Sequence, residues 1–436
     1  MKHIAHDVYG LPARGAGHAD SGFGREMQAE RGRAGRRALC LLGQAALGLA
    51  LAAGAGTGWA APAPQQDPAV APAFNDSTYK AIAAKAAPAA GEPVKVNANL
   101  FLGWTGAWDT VVMKQMNILE KWLPKGSTVE WKRNLQGPPV ITDLLANKQN
   151  VAYLGDNPAI VSTTKSRIAP LKIVGFNMVS PSRMCGILLV RADAPQFKSP
   201  EETLKWLNGK SIAVPKGSCA DRIGQDMLKN AGIEAKWVFN QAEVIVTSLQ
   251  AKKVDAAFVY EPSAAIAVEH GYGRYALSGA IQQQVDANAI IMRKDFIDKN
   301  RPAAIGWLKA NIEALYFMRD NPVETVNLVK RELPDYSRES IWSAMYGRLA
   351  ESTGAVPVVN TAVMTVTPQT VALSKSIFDF LKSMKVVQGE LAADAIDPTL
   401  VAQAFNELGL DPKKALFEFK GGLPSDNPFV KDDLKK

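Results

Sequence analysis

The chain has 436 residues, 47% of them hydrophobic and 21% charged, a balance that rules out disordered, fibrous and collagen-like classes and fits a globular protein with substantial cores. Its formal charge of +8 is inflated by residues 1–60, which hold seven Lys/Arg against four Asp/Glu, so net +3 belongs there and +5 to the rest. The remaining lysines are scattered and no basic run interleaves with aromatics, so nucleic acid is not an expected partner.

Residues 1–60 read as an export signal. Arg31 to Arg37 is basic, Ala38 to Ala53 is apolar but too short for a comfortable membrane span, and small residues lead to Gly58-Trp59-Ala60, which fits cleavage near Ala60. Met1 or Met27 can be the start, and Arg36-Arg37 leaves both general and twin-arginine export open. Cys40 stands at the start of the apolar run rather than after it, with Arg37 where a lipoprotein signal wants an apolar residue, so no lipid anchor is expected. Residues 61–93, rich in Ala, Pro and Gln, read as a tether with a helix-prone patch around Tyr79 to Ala87 and no core of its own.

From Val94 to Leu102 alternate residues are apolar, as in a strand, and Ala107 to Trp122 reads as one amphipathic helix stopped by Pro124. Strand and helix then alternate through Phe176, which argues for a parallel sheet covered by helices, with ligands beyond the carboxyl ends of the strands. Gly186 to Val190 is wholly apolar and reads as a strand leaving that sheet. A second alternating set runs to Glu269, Ala289 to Met292 reads as a returning strand, and helices at 302–319, 323–331, 338–348, 368–382 and 398–408 follow. The organisation expected is therefore 94–185 for the first part of lobe 1, 186–286 for lobe 2, 287–410 for the return to lobe 1, and 411–436 as a tail.

Three places read as a strand that turns straight into a helix: Leu100 to Asp109, Val151 to Pro158, and Ser211 to Arg222. The first N–H groups of a helix lack internal partners and carry partial positive charge, so such an end suits an anion. Ser218 is a preferred N-cap residue, Gly217 allows the tight turn, and Ala220 leaves room for close approach. Trp104 reads either as a cleft wall or as core, Trp108 as core, and Asp156 as an N-cap first and a ligand contact second. Arg222 and Arg183 are candidate charge partners for an anionic head group, with plain surface placement as the alternative.

Of four histidines only His270 lies beyond the leader, in the turn-like Glu269-His-Gly-Tyr-Gly273. A histidine-built zinc site is excluded on that count, hydrolytic catalysis by a triad is not expected, and no cofactor is expected either. Cys185 and Cys219 are the thiols that remain after cleavage. Two separate reduced cysteines are the leading reading, because a bridge near a hinge would restrain lobe motion; a disulfide comes second and a soft metal pocket with Met178 and Met184 third.

The order of these pieces resembles the periplasmic substrate-binding proteins of ABC importers for sulfonates, taurine, nitrate and related anions, over Val94 to Leu410. The segments that carry the resemblance are Ala152-Tyr-Leu-Gly-Asp-Asn-Pro-Ala159, Ser211-Ile-Ala-Val-Pro-Lys-Gly-Ser218, Ala251 to Pro262, and the late stretch from Val366-Thr-Pro-Gln to Asp397-Pro. It implies an α/β, two-lobe type II periplasmic binding protein fold with two hinge crossover strands and extra C-terminal helices. It further implies a periplasmic, monomeric receptor that captures a small anion and delivers it to an inner-membrane ABC permease, without enzymatic activity. Carried over residue by residue, the ligand-binding set is Trp104, Thr105, Gly155, Asp156, Asn157, Ser218, Cys219, Ala220, Arg222, Tyr260 and Glu261. The alternatives are an enzyme of the thiamine-pyrimidine-synthase-like branch of the fold and a ligand-sensing domain.

Overall fold

The structure is a computed structural model that describes residues 77–349, 359–419 and 426–430. The export segment at 1–60, with His3, His6, His18 and Cys40, and the tether up to residue 76 lie outside the described residues.

Twelve strands among the described residues form two sheets. They are β1 (Lys95–Phe101), β2 (Thr128–Asn134), β3 (Val151–Gly155), β4 (Leu171–Ser180), β5 (Ile187–Arg191) and β6 (Ser211–Val214). The remainder are β7 (Lys236–Phe239), β8 (Ala256–Val259), β9 (Gly273–Ser278), β10 (Asp286–Arg293), β11 (Thr361–Ala362) and β12 (Phe417–Glu418). The larger sheet has the order β12-β11-β4-β10-β3-β1-β2, the smaller β7-β6-β8-β5-β9.

β1 pairs parallel with β2 from Lys95↔Thr128 to Phe101↔Asn134, and parallel with β3. The larger sheet is nonetheless mixed, because β10 runs antiparallel between β3 and β4. β5 likewise runs antiparallel between β8 and β9 while β6 is parallel to β7 and β8. These two strands are the ones that arrive by crossing from one sheet to the other: the chain passes from β4 to β5 through residues 181–186 and returns from β9 to β10 through 279–285. Gly186 sits in the first crossing at φ 76°, where a Cβ would also come within 2.6 Å of Ile223, so glycine is required twice over.

β9 has no counterpart among the sequence expectations: Gly-Arg-Tyr-Ala-Leu-Ser follows a turn without an apolar alternation, and its strand character comes from pairing along β5. The single helix expected over 107–122 is divided into a 3-10 turn at Thr105–Ala107 and helices at Asp109–Gln115 and Ile118–Trp122. Asn117 makes the break at φ 51°, a left-handed conformation that Asn tolerates better than most residues.

The packed body starts earlier and ends later than the composition indicates. Ser77–Ala83 is a helix, Ile82 is buried, and the Tyr79 and Phe317 rings stand edge to face at 5.3 Å. At the other end Phe417, Phe419 and Phe429 are buried, and β12 extends the larger sheet through β11. The long helix Arg301–Asp320 contributes Trp307, Leu308, Ile312, Leu315 and Met318 to the same core. None of the described helices is long and apolar enough to cross a membrane.

Candidate ligand-binding cleft

The turn between β6 and helix Cys219–Asn230 is closed by reciprocal hydrogen bonds. Gly217 takes φ 73°, the Ser218 hydroxyl accepts from the Asp221 N–H at 3.2 Å and donates to the Pro215 carbonyl at 2.7 Å, and the Asp221 carboxylate accepts from the Gly217 N–H at 2.9 Å. Gly155 is the N-cap of helix Asp156–Thr163, and Gln136 that of helix Gly137–Leu145. All three helix starts open on one cavity of about 410 Å³. Phe101, Trp104, Gln136, Gly137, Gly155 and Pro158 line it from the larger sheet's side, and Lys216, Ser218, Cys219, Phe239, Gln241 and Tyr260 from the smaller sheet's side.

Of the residues the sequence reading puts at a ligand, Trp104, Gly155, Ser218, Cys219 and Tyr260 line this cavity, while Thr105, Asp156, Asn157, Ala220, Arg222 and Glu261 do not. Each of these six is buried. Arg222 donates to the Asp156 carboxylate at 2.8 Å and to the Val285 carbonyl at 3.0 Å, so the guanidinium is spent on an internal ion pair between the two sides of the cleft. Burial pushes the Asp156 carboxyl above its ordinary value even with that partner. Arg183 is not at the surface either: it pairs with Glu261, whose carboxylate also accepts from the Tyr275 hydroxyl at 2.9 Å and the Ala265 N–H at 2.8 Å.

Asn157 donates to the Ser218 carbonyl at 3.1 Å, a second bond across the cleft floor. Thr105 gives its N–H to the Glu261 carbonyl at 3.3 Å, and its buried hydroxyl has no hydrogen-bond partner. Ala220 is wholly enclosed. Trp104 donates to the Met184 carbonyl at 3.2 Å while one side of its ring lines the cavity, and Trp108 packs inward, donating to the Leu102 carbonyl at 3.1 Å. His270 caps the end of helix Ser263–Glu269 and stacks on Tyr272 at 5.4 Å, away from the cavity.

Cys185 and Cys219 are joined, with sulfurs 1.99 Å apart and Cα atoms 5.9 Å apart, which replaces the reading of two separate thiols. The reason is the first crossing, which brings Cys185 against the mouth of helix Cys219–Asn230 although 34 positions separate the two in sequence. The bridge leaves Cys219 on the cavity wall as an apolar sulfur rather than a thiol or metal ligand. Among the described residues there is no cluster of His, Cys, Asp and Glu that could hold a metal ion.

Phe101, Gln136, Lys216, Phe239 and Gln241 are lining residues the sequence reading leaves out. The signal was present: Phe101 and Phe239 are the last residues of β1 and β7, and the ligand region of an open α/β sheet lies beyond the carboxyl ends of its strands.

A search of curated proteins returns no match. Among solved structures, the chain is similar to the alkanesulfonate-binding protein SsuA from Xanthomonas axonopodis pv. citri bound to MOPS, at 16% identity over 70% of this chain and 99% of that one, with a TM-score of 0.57. It is similar to the periplasmic nitrate-binding protein NrtA from Synechocystis PCC 6803 at 17% identity over 80% and 100% of the two chains, with a TM-score of 0.57. A mutant of DSZB in complex with biphenyl-2-sulfinic acid matches at 14% identity over 72% and 99%, with a TM-score of 0.51. The likeness to these periplasmic proteins, together with two sheets joined by two crossings, makes this a type II periplasmic binding protein fold. The profile of the NMT1-like family matches residues 91–330, more than half of the sequence, and the chain belongs to that family.

Proposed function

We propose that this protein is an exported solute-binding receptor that captures a small anion, of the sulfonate, taurine, sulfate-ester or nitrate class, between its two sheets and delivers it to an ABC permease. In this reading residues 94–185 and 287–410 form lobe 1 and residues 186–286 form lobe 2. It acts as a monomer in the periplasm after cleavage near Ala60. Trp104, Gly155, Ser218, Cys219 and Tyr260 contact the ligand, together with Lys216.

The observation that carries the reading is the meeting of three helix starts, one from the smaller sheet's side and two from the larger sheet's, at one cavity. Closure of two bodies about two crossings is a hinge motion whose ligand-bound form a transporter can recognise. The anions named with the neighbouring structures support the same class. Binding is favoured over covalent chemistry because, among the described residues, the cavity wall holds no carboxylate, no histidine and no free thiol. A thermal-shift screen of alkanesulfonates, taurine, sulfate esters and nitrate tests it. A true ligand at a hundred times its Kd adds about 2.7 kcal/mol of stability. A response to uncharged compounds alone removes the anion reading.

A further inference from the structure

We infer that the cleft selects a singly charged anion with an apolar body, and that Lys216 and Phe239 set this preference; the inference rests on the receptor reading above. Among the described residues of the cavity wall, Lys216 is the one with a formal charge. Arg183 and Arg222, which could have met a second negative charge, are committed to Glu261 and Asp156. The wall thus offers one positive charge against one negative.

No carboxylate faces the cavity, so a ligand ammonium brought into it would lose its water and find no counter-charge. That sets a zwitterion such as taurine at a disadvantage. The rest of the wall is unusually aromatic: Phe101, Trp104, Phe239 and Tyr260, with the Phe101 and Trp104 rings 6.2 Å apart. A volume of about 410 Å³ falls within the range of pockets that take organic ligands, whereas an ion comparable to one or two waters, at roughly 30 Å³ each, would leave most of it unfilled.

Phe239 stands 44% exposed at the end of β7, with the Lys216 ammonium 5.3 Å from its ring centre. The ammonium sits beside a partly exposed aromatic ring. An amphiphilic anion satisfies both at once, its oxyanion at Lys216 and its body against Phe239.

Calorimetric titration of the protein in Tris-chloride with sodium benzenesulfonate, sodium hexane-1-sulfonate, taurine, sodium nitrate and uncharged benzenesulfonamide tests this. The two sulfonates should bind at least about tenfold more tightly than the other three. Lys216→Gln should weaken benzenesulfonate by roughly two- to fivefold, the reach of an exposed charge, and leave benzenesulfonamide unchanged. Phe239→Ser should weaken both aromatic probes. Taurine or nitrate binding as tightly as benzenesulfonate overturns the preference while the anion-receptor reading stands. An unchanged sulfonate affinity in Lys216→Gln overturns the part assigned to Lys216. Benzenesulfonamide equal to benzenesulfonate, or no binding by any probe, overturns the anion-receptor reading and this inference together.

Discussion

Arg222 and Asp156 meet at 2.8 Å where both are buried, one from the helix after β6 and the other from the helix after β3. Deleting one partner leaves an uncompensated buried charge, which costs about 3–5 kcal/mol, whereas replacing both by apolar residues of similar size costs far less. Arg222→Met should therefore lower the urea midpoint sharply, and Arg222→Met combined with Asp156→Leu should recover much of the loss; a double variant as unstable as the single one would contradict the pairing. Ser218 is a different case, because its hydroxyl is already engaged as an N-cap between Asp221 and Pro215. Ser218→Ala should cost about 1 kcal/mol of stability and Ser218→Gly only a few tenths, read from denaturation curves without ligand. Equal losses in the two variants would mean that the cap contributes little.

The elements that form the cleft are tied together by more than packing. The Cys185–Cys219 bridge joins the first crossing to the helix whose start lines the cavity, so the smaller sheet's binding helix is anchored to the chain segment that leads into that sheet. A bridge over 34 positions removes enough freedom from the unfolded chain to be worth about 3–4 kcal/mol in the chain-entropy description. Thiol titration under denaturing, non-reducing conditions should detect neither Cys185 nor Cys219, and prior reduction should lower the denaturation midpoint accordingly. Two reactive thiols at these positions would remove the bridge. The bridge lies on the smaller sheet's side of the first crossing, and it leaves the second crossing, residues 279–285, without a covalent tie.

For the whole molecule, carboxylates sealed inside it make part of the response to pH. Asp109 is buried beneath the Thr105 turn, accepting from the Asn177 amide at 2.7 Å and from the Asn311 amide, and burial pushes its pKa up to about 7. In the unfolded chain this carboxyl loses its proton near 4. Between those values the folded protein holds a proton that the unfolded chain has released, so stability falls as pH rises from about 4 to 7 and levels off above. The total is on the order of 4 kcal/mol. Asp109→Asn should cancel this slope: the stability gap between the parent protein and the variant, measured by urea denaturation from pH 5 to 8, should narrow with rising pH. A constant gap would mean that Asp109 is ionised throughout. Asp286, at the start of β10, is buried and raised in the same direction, so the variant should retain some decline.

Local chemistry was legible in the order of residues alone. Apolar alternation marked β1, a wholly apolar run marked β5, and Gly217-Ser218 announced a capped helix start, because each signal depends on neighbours within a few positions. From these came the α/β architecture and two of the three helix starts at the cavity; the third expected one, Leu100 to Asp109, is a buried 3-10 turn, and the helix after Gln136 takes its place. The partners of the charged groups were not legible: Arg183 with Glu261 and Arg222 with Asp156 join positions 78 and 66 apart, and Cys185 with Cys219 likewise depends on where the crossing delivers the chain. A guanidinium or a thiol carries no mark in sequence of whether its counterpart is a ligand or a distant side chain. Only the packing of two sheets against one gap decided that both arginines turn inward and that Lys216 is left on the cavity wall.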